Sequence, residues 1–149
     1  MAVITIAAII LINERINNKI NNGKNISYII IGLTEAKQKY DEGKYIFYDA
    51  RGEVFYKNGH IKSAINVTLE DLKSNIARYE NKYPKDTKII VYCNGSECAP
   101  SYDIAKYLID RGFKSIEVFY GGWNDWVNAK YPIDTNTNAL NKLTYKQAS

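Results

Sequence analysis

The chain is poor in the residues that announce a metal centre or a disulfide framework: its 149 residues include two Cys, one His, one Met and three Pro. Cys93 and Cys98, with four residues between them, form neither a disulfide framework nor a zinc set. Together with His60 they amount to three soft ligands, one fewer than a closed structural zinc site takes, so no metal is expected. A long hydrophobic run is also missing. The longest, AVITIAAIILI from Ala2 to Ile12, spans eleven residues, whereas a membrane-crossing helix needs about twenty. No Lys or Arg precedes it and the polar stretch NERINNKINNGKN follows, which is not the layout of a secretory signal. A run apolar on all sides is buried or in lipid. Two readings therefore stay open: the end of a longer membrane anchor, with the domain tethered, or a helix packed on the domain or a partner. The basic residues after the run favour a cytoplasmic face. Finally, no basic stripe is present. The formal charge of +4 comes from Lys and Arg scattered among acidic residues, so nucleic-acid binding is not expected.

What is present is the composition of a soluble globular domain, 46% hydrophobic and 24% charged. The length suits one domain. Residues 1–27 read as the apolar N-terminal segment and an Asn-rich spacer, 28–136 as the domain, and 137–149 as a polar tail. Within the domain, short apolar runs alternate with helical ones, which predicts an α/β fold with a mainly parallel five-stranded sheet and helices on both faces. Strands are predicted at Tyr28 to Ile31, Tyr45 to Tyr48, Ala64 to Val67, Lys88 to Tyr92 and Ser115 to Phe119. A first helix is expected from Thr34, with that hydroxyl as its cap, to Gly43. Thr68 is expected to cap a second, carrying Leu69, Leu72, Ile76 and Tyr79 at helical spacing until Pro84. A third runs from Pro100 to Gly112, and a short fourth bears Trp123, Trp126 and Val127. The stretch DARGEVFYKNGHI reads as turns.

KIIVY, from Lys88 to Tyr92, is β-branched and apolar on both faces, as a central parallel strand requires. Ligands of open parallel sheets bind outside the carboxyl ends of the strands, and Cys93 sits there. The loop CNGSEC contains Gly95 and leads to Pro100 in the first turn of a helix, so its amides and the helix N-terminus favour a thiolate at Cys93. A nucleophilic cysteine follows from that position, against the alternative of a small apolar residue closing a buried strand. Cys98 is either a second redox partner for Cys93 or a small helix-start residue.

The segments LTEAKQKYDEGKYIFYDAR, GHIKSAINV, IIVYCNGSEC, IAKYLIDRGFKSIEVFYGGWNDW and KYPID occur in that order over about two thirds of the chain. In this order they resemble a single-domain rhodanese-like sulfurtransferase. The resemblance implies a persulfide mechanism without a cofactor: the Cys93 thiolate takes sulfane sulfur from a small donor (persulfide, polysulfide or thiosulfate) and passes it to a thiol or cyanide-like acceptor. It also implies that the amides of Asn94, Gly95, Ser96, Glu97 and Cys98 bind the transferred sulfur, with the Ser101 hydroxyl as a further donor. Arg51 lies where similar domains place an Arg near the site, and its alternative role is an ion pair with Asp49. His60 is read as a turn residue bonded to backbone, not as a base.

Thiosulfate-using members of the family tend to carry Arg or Lys in this loop, whereas the charged loop residue here is Glu97. A carboxylate opposes a dianion. A persulfide or polysulfide donor is therefore expected over thiosulfate, with Cys98 as the thiol that resolves the Cys93 persulfide. Two other readings remain: a thiol redox protein using a Cys93–Cys98 disulfide, and a non-catalytic rhodanese-like binding module. A phosphatase-type Cys loop needs an Arg six residues after its Cys, and Ala99 stands there.

Overall fold

In the computed structural model, residues 28–96 and 98–135 are described. The apolar segment and spacer expected over 1–27, Glu97 and the polar tail lie outside the described residues. Among the described residues no helix is long and apolar enough to cross a membrane.

The elements follow one another as β1 (Ile29–Ile31), α1 (Leu33–Glu42), β2 (Ile46–Asp49), α2 (Glu53–Asn58), β3 (His60–Ile61), β4 (Ile65–Asn66), α3 (Leu69–Ser74), α4 (Ile76–Lys82), β5 (Lys88–Tyr92), α5 (Ala99–Asp110), β6 (Ser115–Phe119), α6 (Gly122–Asn128) and β7 (Ile133–Asp134). Five strands form a parallel sheet in the order β1-β6-β5-β2-β4, as the sequence pattern predicts. β5 is central because its side chains satisfy both faces: Ile89, Ile90, Val91 and Tyr92 are all fully buried. Burying an Ile or Val side chain contributes about 1.5–3 kcal/mol. One face carries Tyr48, Val67, Ile89, Val91 and Cys93 against Leu72 of α3 and Ile104, Ala105 and Leu108 of α5. The other carries Phe47, Ile90, Tyr92 and Phe119 against Ala36 of α1 and Trp126 of α6.

The register brings the strand ends into one row, since Ile31 pairs with Phe119, Phe119 with Tyr92, Tyr92 with Asp49 and Asp49 with Asn66. Everything beyond this row belongs to the loops where a parallel sheet binds its ligands.

Several local expectations need correction. α1 begins at Leu33 behind Gly32, with no side-chain cap, so Thr34 lies inside the first turn instead of capping it. Gly43 does end this helix in the left-handed region, φ 65°, donating its amide to Tyr40 O. Thr68 caps α3, its Oγ1 accepting from Asp71 N at 3.2 Å. The single helix expected after Thr68 is two, α3 and α4, broken at Asn75 (φ −124°, ψ 25°). Within DARGEVFYKNGHI lie α2 and β3, and β3 pairs antiparallel with β7.

Candidate active site

A strand sends successive side chains to opposite faces. Tyr92 and Cys93, at the end of β5, therefore part company: Cys93, 3% exposed, joins the α3/α5 face with Ala50 and Ala105, and Tyr92 joins the α6 face.

The loop after Cys93 is suspended by its own backbone. Cys93 O accepts from Trp123 N at 2.8 Å, and Asn94 O accepts from Asn124 N at 2.9 Å. Both donors belong to the first turn of α6, whose amides have no partner within the helix. This approach demands a glycine at residue 122. Gly122 has φ 57°, and a Cβ on it would overlap the carbonyl oxygen of Cys93.

Further on, Cys98 N donates to Gly95 O at 3.2 Å, which turns the chain back. Cys98 then stands as the N-cap residue of α5, with Pro100 in the first turn as the sequence suggested. Cys93 and Cys98 are joined in a disulfide, with their Cα atoms 5.9 Å apart, inside the range that a bridge requires. Of the loop residues assigned to binding, Asn94 and Ser96 are exposed and Gly95 is half-buried. In this closed state the Cys98 amide is engaged by Gly95 and is not a free donor. The Ser101 hydroxyl is likewise engaged, donating to Cys98 O at 3.0 Å inside the first turn of α5.

Arg51 is 4% exposed and bound as an ion pair to Asp49, the alternative that the sequence left open. Its Nε donates to Asp49 Oδ1 at 2.9 Å and its Nη2 to Oδ2 at 2.6 Å, a two-pronged pairing. Nη2 also donates to Gly59 O at 2.7 Å, and the backbone amide of Arg51 donates to Asp49 Oδ1 at 3.0 Å. The Tyr92 hydroxyl donates to Asp49 Oδ2 at 2.7 Å and accepts from Ile61 N at 3.1 Å. Burial, with the Asp49 carboxylate beside it, raises the Tyr92 hydroxyl far above its ordinary value, so it remains a donor at every working pH. The guanidinium carbon lies 4.6 Å from the centre of the Trp123 ring. A route of contacts thus runs from Asp49 through Arg51 to Trp123, whose amide holds Cys93 O.

His60 opens β3, paired with Asp134, instead of lying in a turn, but it is bonded to backbone as the sequence suggests. Its Nδ1 lies 2.9 Å from Tyr56 O and its ring stacks on Tyr56 with centroids 3.7 Å apart. Sequence reasoning missed the Tyr92 hydroxyl, which reads as one more apolar strand position. It also missed what Gly122 and Asn124 do. The pair Gly121–Gly122 directly after a strand was the available signal, since adjacent glycines there mark a close backbone approach.

The fold and the loop now have their context in known proteins. Residues 32–129 match the model of the Rhodanese-like domain family, and the chain belongs to that family. A Coxiella burnetii protein named thiosulfate sulfurtransferase GlpE is 28% identical over 112 residues, covering 74% of this chain and 98% of the relative. Among solved structures, a Bacillus halodurans protein superposes with a TM-score of 0.66 at 21% identity, covering 83% of this chain and 86% of that one. The rhodanese-like domain of an Anabaena protein superposes with a TM-score of 0.57 at 25% identity, covering 70% and 77%.

Proposed function

We propose that the protein is a sulfurtransferase that carries sulfane sulfur as a persulfide on Cys93 and takes it from persulfides or polysulfides in preference to thiosulfate. The observation that carries this reading is the place of Cys93: the end of the central strand, in a loop hung from the amides of α6 and followed by the N-terminus of α5. That surrounding favours an anionic sulfur. Kinship with proteins named thiosulfate sulfurtransferase supports the reaction class.

With the disulfide open, the Cys93 thiolate attacks the outer sulfur of a donor R–S–S⁻. A bond forms from Cys93 Sγ to that sulfur, the donor S–S bond breaks, and RS⁻ leaves. The amides of Asn94, Gly95, Ser96 and Glu97 hold the terminal sulfur, and an acceptor thiolate or cyanide removes it by the same displacement in reverse. Arg51 works through Trp123 on the shape of the loop. The charge of Glu97 disfavours dianions such as thiosulfate more than monoanionic donors. A redox reading, resting on the Cys93–Cys98 bond, predicts disulfide cycling without sulfur uptake.

Intact mass after exposure of the reduced Cys98→Ser variant, in which Cys93 is the one thiol, to polysulfide tests this. One added sulfur, released by cyanide, is expected, and Cys93→Ser loses the adduct. Turnover is expected to favour polysulfide over thiosulfate by about tenfold or more in kcat/KM, a margin that Glu97→Gln narrows. Absence of any adduct on Cys93 sinks the proposal, and equal use of both donors sinks the donor preference.

A further inference from the structure

Resting on that reading, we infer that Cys98 is a resolving thiol that gives the protein a second outcome, reduction of sulfane sulfur to hydrosulfide with closure of the Cys93–Cys98 disulfide. Three observations on the loop carry it. The two Cα atoms are 5.9 Å apart, so the sulfurs meet without a change of fold. The turn that brings Cys98 back is closed by its own amide on Gly95 O, at 3.2 Å. Cys98 is also the N-cap residue of the twelve-residue helix α5, where the helix end favours the anion of a thiol freed from its partner.

The chemistry follows from that adjacency. Once Cys93 carries the persulfide Cys93–Sγ–SH, two atoms are open to attack. An external acceptor takes the outer sulfur, which is transfer. Cys98 Sγ, held within the same loop, attacks Cys93 Sγ instead. The bond between Cys93 Sγ and the outer sulfur breaks, HS⁻ departs with the electron pair, and the Cys93–Cys98 bond forms. The outer sulfur gains two electrons, from the zero-valent to the sulfide state, and the two thiols lose them. An external dithiol restores both thiols by exchange. The balance is one donor persulfide and one dithiol converted to one donor thiol, one hydrosulfide and one cyclic disulfide. Acceptor concentration therefore decides the outcome: ample acceptor gives transfer, and scarce acceptor gives hydrosulfide and a closed loop.

The discriminating experiment is an anaerobic single turnover of the reduced full chain with polysulfide and no added thiol, reading hydrosulfide electrochemically and protein mass together. Wild type is expected to release one further hydrosulfide per chain and to end two hydrogens lighter than the reduced protein. It should regain its starting mass with dithiothreitol. Cys98→Ser is expected to stop one step earlier, one sulfur heavier, with that hydrosulfide lost and cyanide-releasable sulfur retained. If wild type also stops as the stable persulfide, resolution by Cys98 is overturned while transfer by Cys93 stands. If Cys98→Ser gains no sulfur, the transfer reading itself fails, and this inference with it. Cys98→Ala checks that the serine hydroxyl does not hold the loop by a bond of its own, and the same retained persulfide is expected from it.

Discussion

Tyr92 and Cys93 are neighbours at the end of one strand, yet they belong to two differently built regions. Around Tyr92 the polar groups form a closed frame: Asp49, Arg51, the Tyr92 hydroxyl, Gly59 O and Ile61 N satisfy one another in the interior. Around Cys93 the loop is held by two carbonyls on α6 amides and one turn, and its sulfur is the reactive group. A buried pair such as Asp49–Arg51 adds little net stability, because desolvation offsets its attraction, but it punishes the loss of either partner. The frame thus fixes geometry, and the loop keeps the freedom to open and close a bond.

The comparison can be broken from either side. Asp49→Ala leaves Arg51 buried without its carboxylate and removes the partner of the Tyr92 hydroxyl. A loss of about 3–5 kcal/mol in unfolding free energy is expected by urea denaturation. A loss under about 1 kcal/mol would show that the frame relaxes. Gly122→Ala strikes the loop instead. A side chain at φ 57° and in the path of Cys93 O costs about 1–3 kcal/mol, and the sulfur-uptake rate is expected to fall by about tenfold or more. If stability falls and uptake does not, the loop is less dependent on α6 than its hydrogen bonds imply.

The smallest effect belongs to an exposed cluster remote from both regions, which serves as the control. Hydrogen bonds from Arg111 and Lys85 lower the Glu80 carboxyl to about 2. A carboxyl lowered on folding stabilises the protein above its unfolded value and loses that contribution as pH falls toward the folded one. Because solvent and salt screen the cluster, Glu80→Gln is expected to lower Tm by about one degree at neutral pH and low salt. The difference should fade near pH 2 and in high salt, with sulfur uptake unchanged. An altered uptake would mean that the C-terminal end of α5, capped by Arg111, is coupled to the loop at its start.

How much of this was legible depended on whether a feature repeats along the chain. β5 and β6 have the predicted bounds, because the four apolar residues in a row from Ile89 to Tyr92 and the alternation of Ile116, Glu117 and Val118 have few alternatives. The Thr68 cap was legible because capping is a contact over three residues. α2 was not, since none of its six residues is buried and Val54 and Phe55 are exposed at 72% and 58%, leaving no apolar face to read. β3 and β7 are two residues each, too short to display an alternation. The site divided the same way. Cys93 was marked by the strand before it, and Arg51 with Asp49 by their nearness in sequence. The Tyr92–Asp49 bond spans 43 residues, and the fit of Gly122 under Cys93 O exists only once β5 and β6 lie side by side.

The suspension of the loop by main-chain carbonyls has a further consequence. Cys93 O and Asn94 O are atoms that every residue type carries, so the position of the reactive sulfur does not depend on which side chains stand at Asn94 and Ser96. Those positions behave as an interchangeable cassette on a fixed mount. Chemistry at the mouth of the site can be rewritten there, by selection or by design, without rebuilding the fold that presents it.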